Sequence, residues 1–426
     1  MSDLSRELKW RGLQQDATQG AEPHLAEAPR SIYIGFDPTA RSLHVGSLLV
    51  ISTLALAQRC GHTPIALVGG GTGLIGDPSG KSDERNLLSE ETAMENSEAI
   101  GAQLAAFLDF SPSLSNRALV CNNLDWLGGL GLVPFLRDIG KHFSVNRMVA
   151  RESVKRRVET SESGISFTEF SYSLLQAYDF LELYRRHGCT VQMGGSDQWG
   201  NITAGTELVR KVEGVRAFGV VSPLVTNSSG TKFGKTESGN VWLDPELTSP
   251  YEFYQFWLNT ADADVVRHLK AFTLLGREEI DGMAAEIDSA PHRRVAQRAL
   301  AAEVTRRVHG DVGLAGAERA TRAFFGGELR ELSEKELGWV FADAQAVEME
   351  RERLAAGVPV THFAVASGVA GSLSDARRRL AEGSFYLNNV RVTDPEHVVA
   401  TEHVIGSRYI VARRGKKRYV LVRVVG

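Results

Sequence analysis

Cysteine is scarce in this chain, with three residues in 426, at positions 60, 121 and 189. An odd number without paired spacing supplies neither a disulfide framework nor a zinc-binding pattern, so all three read as packing residues. Long apolar runs are missing as well. No window approaches the 18 uninterrupted apolar residues of a membrane-spanning helix, and the opening MSDLSRELKWRG is charged where a signal peptide would be apolar. These absences predict a cytoplasmic protein with no membrane partner. No internal repeat or low-complexity tract is evident.

What is present is ordinary in bulk and uneven in distribution. An apolar content of 43% with 23% charged residues suits a globular protein, and the length suits two or three domains. The net charge of −4 conceals an asymmetry. Residues 351–426 carry 13 Lys and Arg against 6 Asp and Glu, whereas residues 1–350 carry 35 against 46. A basic module on an acidic body points to a polyanionic partner met by one end of the molecule, the bland alternative being a solvated basic surface.

Along the chain, SIYIGFD (31–37) reads as a buried strand, His44 to Arg59 as the helix after it, and TPIALVGG as the next strand. Strand, helix, strand over this length is a right-handed crossover, and ALVCNN and CTVQMGG continue the pattern. The expected fold class is α/β, with a doubly wound parallel-sheet catalytic domain over 1–245. From LTSPYEFYQFWLNT onward helical periodicity replaces the strand signal, with Pro250 near a first helical position. That predicts a helical domain over 246–345, a charged linker over 346–357, and a small basic α+β domain over 358–426.

Two glycine-rich stretches carry the chemistry. In GGGTGLIGDPSGKS (69–82), Gly71, Gly73 and Gly76 fit G-x-G-x-x-G, but a turn cluster follows where the dinucleotide fingerprint needs a helix. A P-loop ending in Gly80-Lys81-Ser82 would need glycine at 75, where Ile75 stands. In GTKFGKTESG (230–239), Lys232 and Lys235 can place two ammonium groups on one polyphosphate. Together with DPTARSLHVGS (37–47), which enters a helix whose N-terminus suits an anion, this makes the two halves of a nucleotidyl-transfer site.

These segments resemble the bacterial tyrosyl-tRNA synthetases along almost the whole chain. FDPTARSLHVGS is similar to the family's HIGH signature and KFGKT to its KMSKS signature. ALVGGGTGLIGDPSGKS, SYSLLQAYDF and GGSDQWGNITAG resemble its substrate-binding segments, and residues 358–426 its S4-type RNA-binding module. The resemblance implies a class I, Rossmann-like catalytic domain and an anticodon-recognising helical domain. It implies that Tyr33 and Asp179 contact the phenolic hydroxyl of tyrosine, that Tyr172, Gln176 and Asp77 hold its ammonium group, and that Gln192 and Gln198 lie near the amino-acid end. For ATP it implies Thr39, His44, Ser47 and Gly46 at the nucleotide, Asp197 on the ribose, and Gly35, Asp37 and Gly195 beside them. Lys81, Arg85, Lys232, Lys235 and Thr236 would meet the departing pyrophosphate, with Mg²⁺ accompanying ATP. From the residues alone, Tyr172, Gln176 and Asp179 share one helix face, which a structural hydrogen-bond network would equally explain.

The expected reaction joins tyrosine to tRNA(Tyr) through an adenylate, by positioning and charge stabilisation, because a carboxylate is already an adequate nucleophile. On the RNA side, Arg377, Arg378 and Arg379 together with Arg413, Arg414, Lys416 and Lys417 would meet phosphates. Arg151, Lys155, Arg156 and Arg157 could lie along the acceptor arm or form a solvated face. The family implies a homodimer. Ser47 stands where most relatives carry histidine, and it alone supports the alternative of a catalytically weakened RNA-binding protein. A tryptophan-specific relative is disfavoured by Tyr33 and Asp179, both suited to a phenol.

Overall fold

The computed structural model describes residues 3–78, 88–151, 154–155, 158, 165–226, 233–236, 239–342, 344–415 and 418–426, with only the backbone of Lys235 and Thr236. The chain divides into two compact units, residues 1–247 with 260–308, and residues 248–259 with 309–426.

The first unit is built on a six-stranded sheet. Its strands are β1 (Asp16–Ala17), β2 (Ser31–Phe36), β3 (Thr63–Val68), β4 (Leu119–Asn122), β5 (Val191–Gly195) and β6 (Phe218–Ser222), in the order β1-β6-β5-β2-β3-β4. All neighbours are parallel except β1, which runs antiparallel to β6 at the edge. The order reverses between β2 and β5, and their pairing stops at Tyr33 opposite Gln192. A crevice at the carboxyl ends of strands about such a reversal is where doubly wound sheets bind ligands. β2 and β3 read as near-continuous apolar runs because helices cover both faces of a parallel sheet.

Five helices of this unit matter below: α1 (Leu4–Arg11), α2 (Leu48–Arg59), α3 (Phe167–His187), α4 (Trp199–Glu213) and α5 (Asp262–Phe272). α3 opens on Ser166, whose side chain accepts from the Glu169 N–H, and ends at Gly188 in the left-handed region. α2 starts four residues later than the expected His44. Backbone pairing explains the delay: the Val45 N–H donates to the Val241 carbonyl (2.9 Å), that of Leu243 to Leu43 (2.9 Å), and His44 bridges Trp242. Residues held in that pairing cannot also turn as helix.

The second unit contains helix Pro250–Leu258, with Pro250 at its first position behind a Ser249–Glu252 capping box, as the sequence suggested. The helical stretch expected over 246–345 is present, but its packing is divided. Residues 260–308 belong with the sheet and the rest with the C-terminal unit, the division falling next to Gly310, whose φ of 69° interrupts helix Val295–Phe324. A five-stranded sheet follows, in the order Val390–Arg391, Phe385–Leu387, Tyr409–Arg414, Arg418–Val425, Gln345–Glu350. The last of these corrects the expected linker: residues 345–350 pair parallel with the final strand, and Arg351–Ala355 is a helix. An edge strand that buries only Met349, between Glu348 and Glu350, shows no alternating apolar signal and so reads as linker.

Candidate active site

At the crevice, β2 places Tyr33 with no exposed surface, and its ring meets Phe180 edge-on at 5.1 Å between centroids. The Tyr33 hydroxyl is buried and has no hydrogen-bond partner among the described residues. Burial, reinforced by the nearby Asp179 carboxylate, pushes its ionisation well above the usual phenol range. α3 brings Tyr172, Gln176 and Asp179 to one face, as their spacing required.

Asp179, 2% exposed, is held at both oxygens. Asn123 Nδ2 donates to its Oδ2 (2.9 Å) and Trp126 Nε1 to its Oδ1 (2.8 Å). Burial raises its pKa to about 7 against the lowering effect of those two donors, with Asp37 and Glu182 adding to the rise. The network continues outward. Asn123 Nδ2 also donates to Thr72 Oγ1 (2.9 Å), Thr72 Oγ1 to Asp37 Oδ1 (2.8 Å), and the Tyr172 hydroxyl to Asp37 Oδ2 (2.8 Å). A second chain runs from Gln176 Nε2 to Gln198 Oε1 (3.3 Å) and from Gln198 Nε2 to Asp77 Oδ2 (2.7 Å), with Asn201 Nδ2 also on Gln198 Oε1 (3.2 Å). Gln176 Oε1 and Gln192 Oε1 are buried acceptors without a donor among the described residues.

The structure therefore gathers Tyr33, Tyr172, Gln176, Asp179, Gln192, Gln198 and Asp77 at one crevice. Asp37, expected beside the nucleotide, accepts from the Tyr172 hydroxyl and from Thr72 Oγ1 in the same network. Sequence reasoning missed Thr72, Asn123, Trp126 and Asn201. Asn123 had a readable signal, since polar residues just past the carboxyl end of a sheet strand line the crevice.

The two signature segments meet at Val45 and Gly234. Gly46 donates its N–H to His44 Nδ1 (3.0 Å), and a Cβ at 46 would sit 2.7 Å from the imidazole, so glycine is needed there by His44 itself. Gly234, at φ +82°, packs against Val45, where an added Cβ would fall 2.7 Å from Cγ2. Ser47 precedes α2 without capping it through its side chain. Gly35 is exposed in an otherwise buried β2, Gly195 is half-buried, and Thr39 and Asp197 are exposed at the crevice rim. Lys81, Arg85 and Lys232, with the side chains of Lys235 and Thr236, lie outside the described residues; the Lys235 backbone pairs with Asn240.

On the second unit, Arg377 and Arg378 are exposed on helix Leu373–Ala381, and Arg414 is half-buried. Two neighbours turn inward. Arg379, 8% exposed, donates to Asp375 (2.9 Å), and Arg413, 9% exposed, stacks 3.8 Å over the Tyr386 ring and donates to the Gly415 carbonyl. These two guanidiniums are spent on the domain's own packing. Lys416, Lys417, Arg156 and Arg157 lie outside the described residues.

Residues 25–326 match the family model of tRNA synthetases class I (W and Y), and residues 336–422 that of the tyrosine–tRNA ligase SYY-like C-terminal domain. The chain is 52% identical over 424 residues to the tyrosine–tRNA ligase of Bacillus caldotenax, covering 99% of each. It is 52% identical over 426 residues to that of Roseiflexus castenholzii, covering 100% of each. A solved structure of the C-terminally truncated mitochondrial tyrosyl-tRNA synthetase of Aspergillus nidulans superposes with a TM-score of 0.69 at 32% identity, over 76% of this chain and 95% of that one.

Proposed function

The chain belongs to the class I tRNA synthetases for tryptophan and tyrosine, and within them to the tyrosine–tRNA ligases; from that premise we propose how its own residues divide the work. The reaction activates L-tyrosine with ATP to tyrosyl-adenylate and pyrophosphate, then passes tyrosine to the terminal ribose of tRNA(Tyr). The weakened RNA-binding alternative finds no support among the relatives.

The buried Tyr33 hydroxyl beside Asp179 carries the assignment of the phenol pocket. A tyrosine hydroxyl entering there donates to Asp179 and accepts from Tyr33, completing groups that phenylalanine would leave unpaired. Asn123 and Trp126 hold Asp179 in line. Tyr172, Gln176 and Asp77, with Gln198 and Gln192 behind them, take the ammonium end, where Asp77 supplies the negative charge. The tyrosine carboxylate then attacks the α-phosphate, with Thr39, His44, Gly46 and Ser47 on the nucleotide and Asp197 on its ribose. Lys81, Arg85, Lys232, Lys235 and Thr236 balance the charge of the leaving pyrophosphate. Mg²⁺ arrives on the ATP phosphates. Among the described residues no group of three or more His, Cys, Asp or Glu is placed to hold an ion by itself.

Arg377 and Arg378 contact tRNA phosphates in this reading. We take the enzyme to be a homodimer, as its resemblance to the family implies; Leu132 and Val133, adjacent in the chain and 69% and 72% exposed, are apolar surface that a partner subunit could cover. No helix among the described residues is long and apolar enough to cross a membrane, and we place the enzyme in the cytoplasm, beside its tRNA.

The test is tyrosine-dependent exchange of labelled pyrophosphate into ATP without tRNA. Exchange with tyrosine and not with phenylalanine or tryptophan is expected. Equal exchange with phenylalanine would remove Tyr33 and Asp179 from the role given them.

A further inference from the structure

Helix α5 touches both shoulders of the second signature segment. Arg267 Nη2 donates to the Thr226 carbonyl (2.5 Å) while its other contact, Asp264 (2.8 Å), keeps it on the helix. Past Lys232 in the chain, the Phe233 ring stacks on Phe272 (5.2 Å between centroids, 17° between planes) and meets His268 edge-on (4.9 Å). His268 and Phe272 are one helical turn apart, 2% and 1% exposed, and in contact with each other (5.6 Å).

The same helix is anchored at its carboxyl end by guanidiniums from three other elements. Arg11 of α1 donates to the carbonyls of Lys270 (2.9 Å), Thr273 (2.9 Å) and Leu275 (2.7 Å). Arg59, the last residue of α2, donates to Leu274 (2.8 Å), and Arg307 to Phe272 (2.6 Å). The carbonyls of Lys270 and Phe272 belong to the last turn of α5 and carry the negative end of its dipole, and those of Thr273, Leu274 and Leu275 follow at its exit, so cations there fix the end of α5. Through Arg59, α5 is tied to α2, whose other end begins at His44–Ser47. One rigid frame thus reaches both signature segments.

We propose that α5 is the positioning element for the phosphate-side lysines: Arg267, His268 and Phe272 fix Thr226 and Phe233, and so set where Lys232 and Lys235 act. This rests on the reading that those lysines meet the departing pyrophosphate. Positioning residues of this kind contribute to the transition state and leave tyrosine binding alone.

The experiment uses the full-length enzyme, measuring single-turnover adenylate formation and, separately, equilibrium binding of tyrosine without ATP. Phe272→Leu and Arg267→Met should each slow adenylate formation by about 10- to 100-fold, the effect of a misplacement near 1 Å. Tyrosine Kd should stay within about twofold, because uniform binding is untouched. Arg267→Lys should recover much of the rate. In Phe272→Leu/Lys232→Ala/Lys235→Ala the loss should be no larger than in Lys232→Ala/Lys235→Ala, since absent ammonium groups cannot be misplaced. If Lys232→Ala/Lys235→Ala leaves the rate unchanged, the reading of the lysines falls and the proposal with it. If Lys232→Ala/Lys235→Ala slows the step but adding Phe272→Leu multiplies the loss, the lysines stand and the role of α5 is refuted. Should Phe272→Leu fail to fold, Arg267→Met, at a side chain 51% exposed, reads the same effect.

Discussion

Replacing Tyr33 by Phe separates binding from stability in opposite directions. The hydroxyl is buried, has the Asp179 carboxylate nearby, and has no hydrogen-bond partner among the described residues. A buried hydroxyl left unpaired costs about 1–3 kcal/mol, so Tyr33→Phe should make the free enzyme more resistant to urea, by about 1 kcal/mol or more. Tyrosine loses one neutral hydrogen bond, worth about 0.5–1.5 kcal/mol, which lowers its kcat/KM in pyrophosphate exchange by about 2- to 13-fold. Phenylalanine never used that bond, so its rate should not change and the ratio of the two should fall by the same factor. The paired assay is exchange with both amino acids, alongside urea unfolding without ligand. If the variant is less stable and both amino acids lose rate together, the hydroxyl is a packing group and the pocket assignment is wrong.

Asp179→Asn keeps the shape but removes a charged acceptor, worth about 1.5–3 kcal/mol, so exchange with tyrosine should drop about 10- to 150-fold, measured as kcat/KM. Burial, helped by Arg267 and opposed by Asp264, holds His268 at about 4. The unfolded chain takes up a proton near pH 6.5 that the folded one refuses, so this stability is complete above pH 6.5 and is lost as pH falls towards 4, up to about 3 kcal/mol. Urea midpoints at pH 7 and pH 5 should diverge in the native enzyme and less so in His268→Phe; equal slopes would show that His268 is not the group titrating. Gly234→Ala forces a left-handed backbone and a Cβ onto Val45, costing about 1–2 kcal/mol locally, and should slow adenylate formation with tyrosine Kd unchanged. Ser47→His removes no cap, because the Ser47 side chain makes none; stopped-flow adenylate formation should quicken, and an unchanged rate would make Ser47 a neutral substitution.

Much of this protein was determined by local pattern. Apolar runs bounded by turn residues marked β2, β3, β4 and β5; in β2 and β3 the run is nearly continuous because an inner parallel strand is covered on both faces. The spacing of Tyr172, Gln176 and Asp179 put them on one face, because a helix has one period whatever it packs against. The signature segments, being short and contiguous, were legible as chemistry. Tertiary structure alone decided the rest. Pairing of His44 with Trp242 moved the start of α2, a contact across nearly 200 positions that no local window contains. Asn123 and Trp126 became the partners of Asp179 only when β4 came beside β3, and Arg413, expected at a phosphate, lays its guanidinium over the Tyr386 ring. The strand at 345–350 was hidden because, at the edge of its sheet, it buries only Met349 and carries Glu348 and Glu350 on either side of it. Side-chain type follows from sequence, but the partner that gives a polar side chain its role is chosen by burial, and burial is a property of the assembled chain.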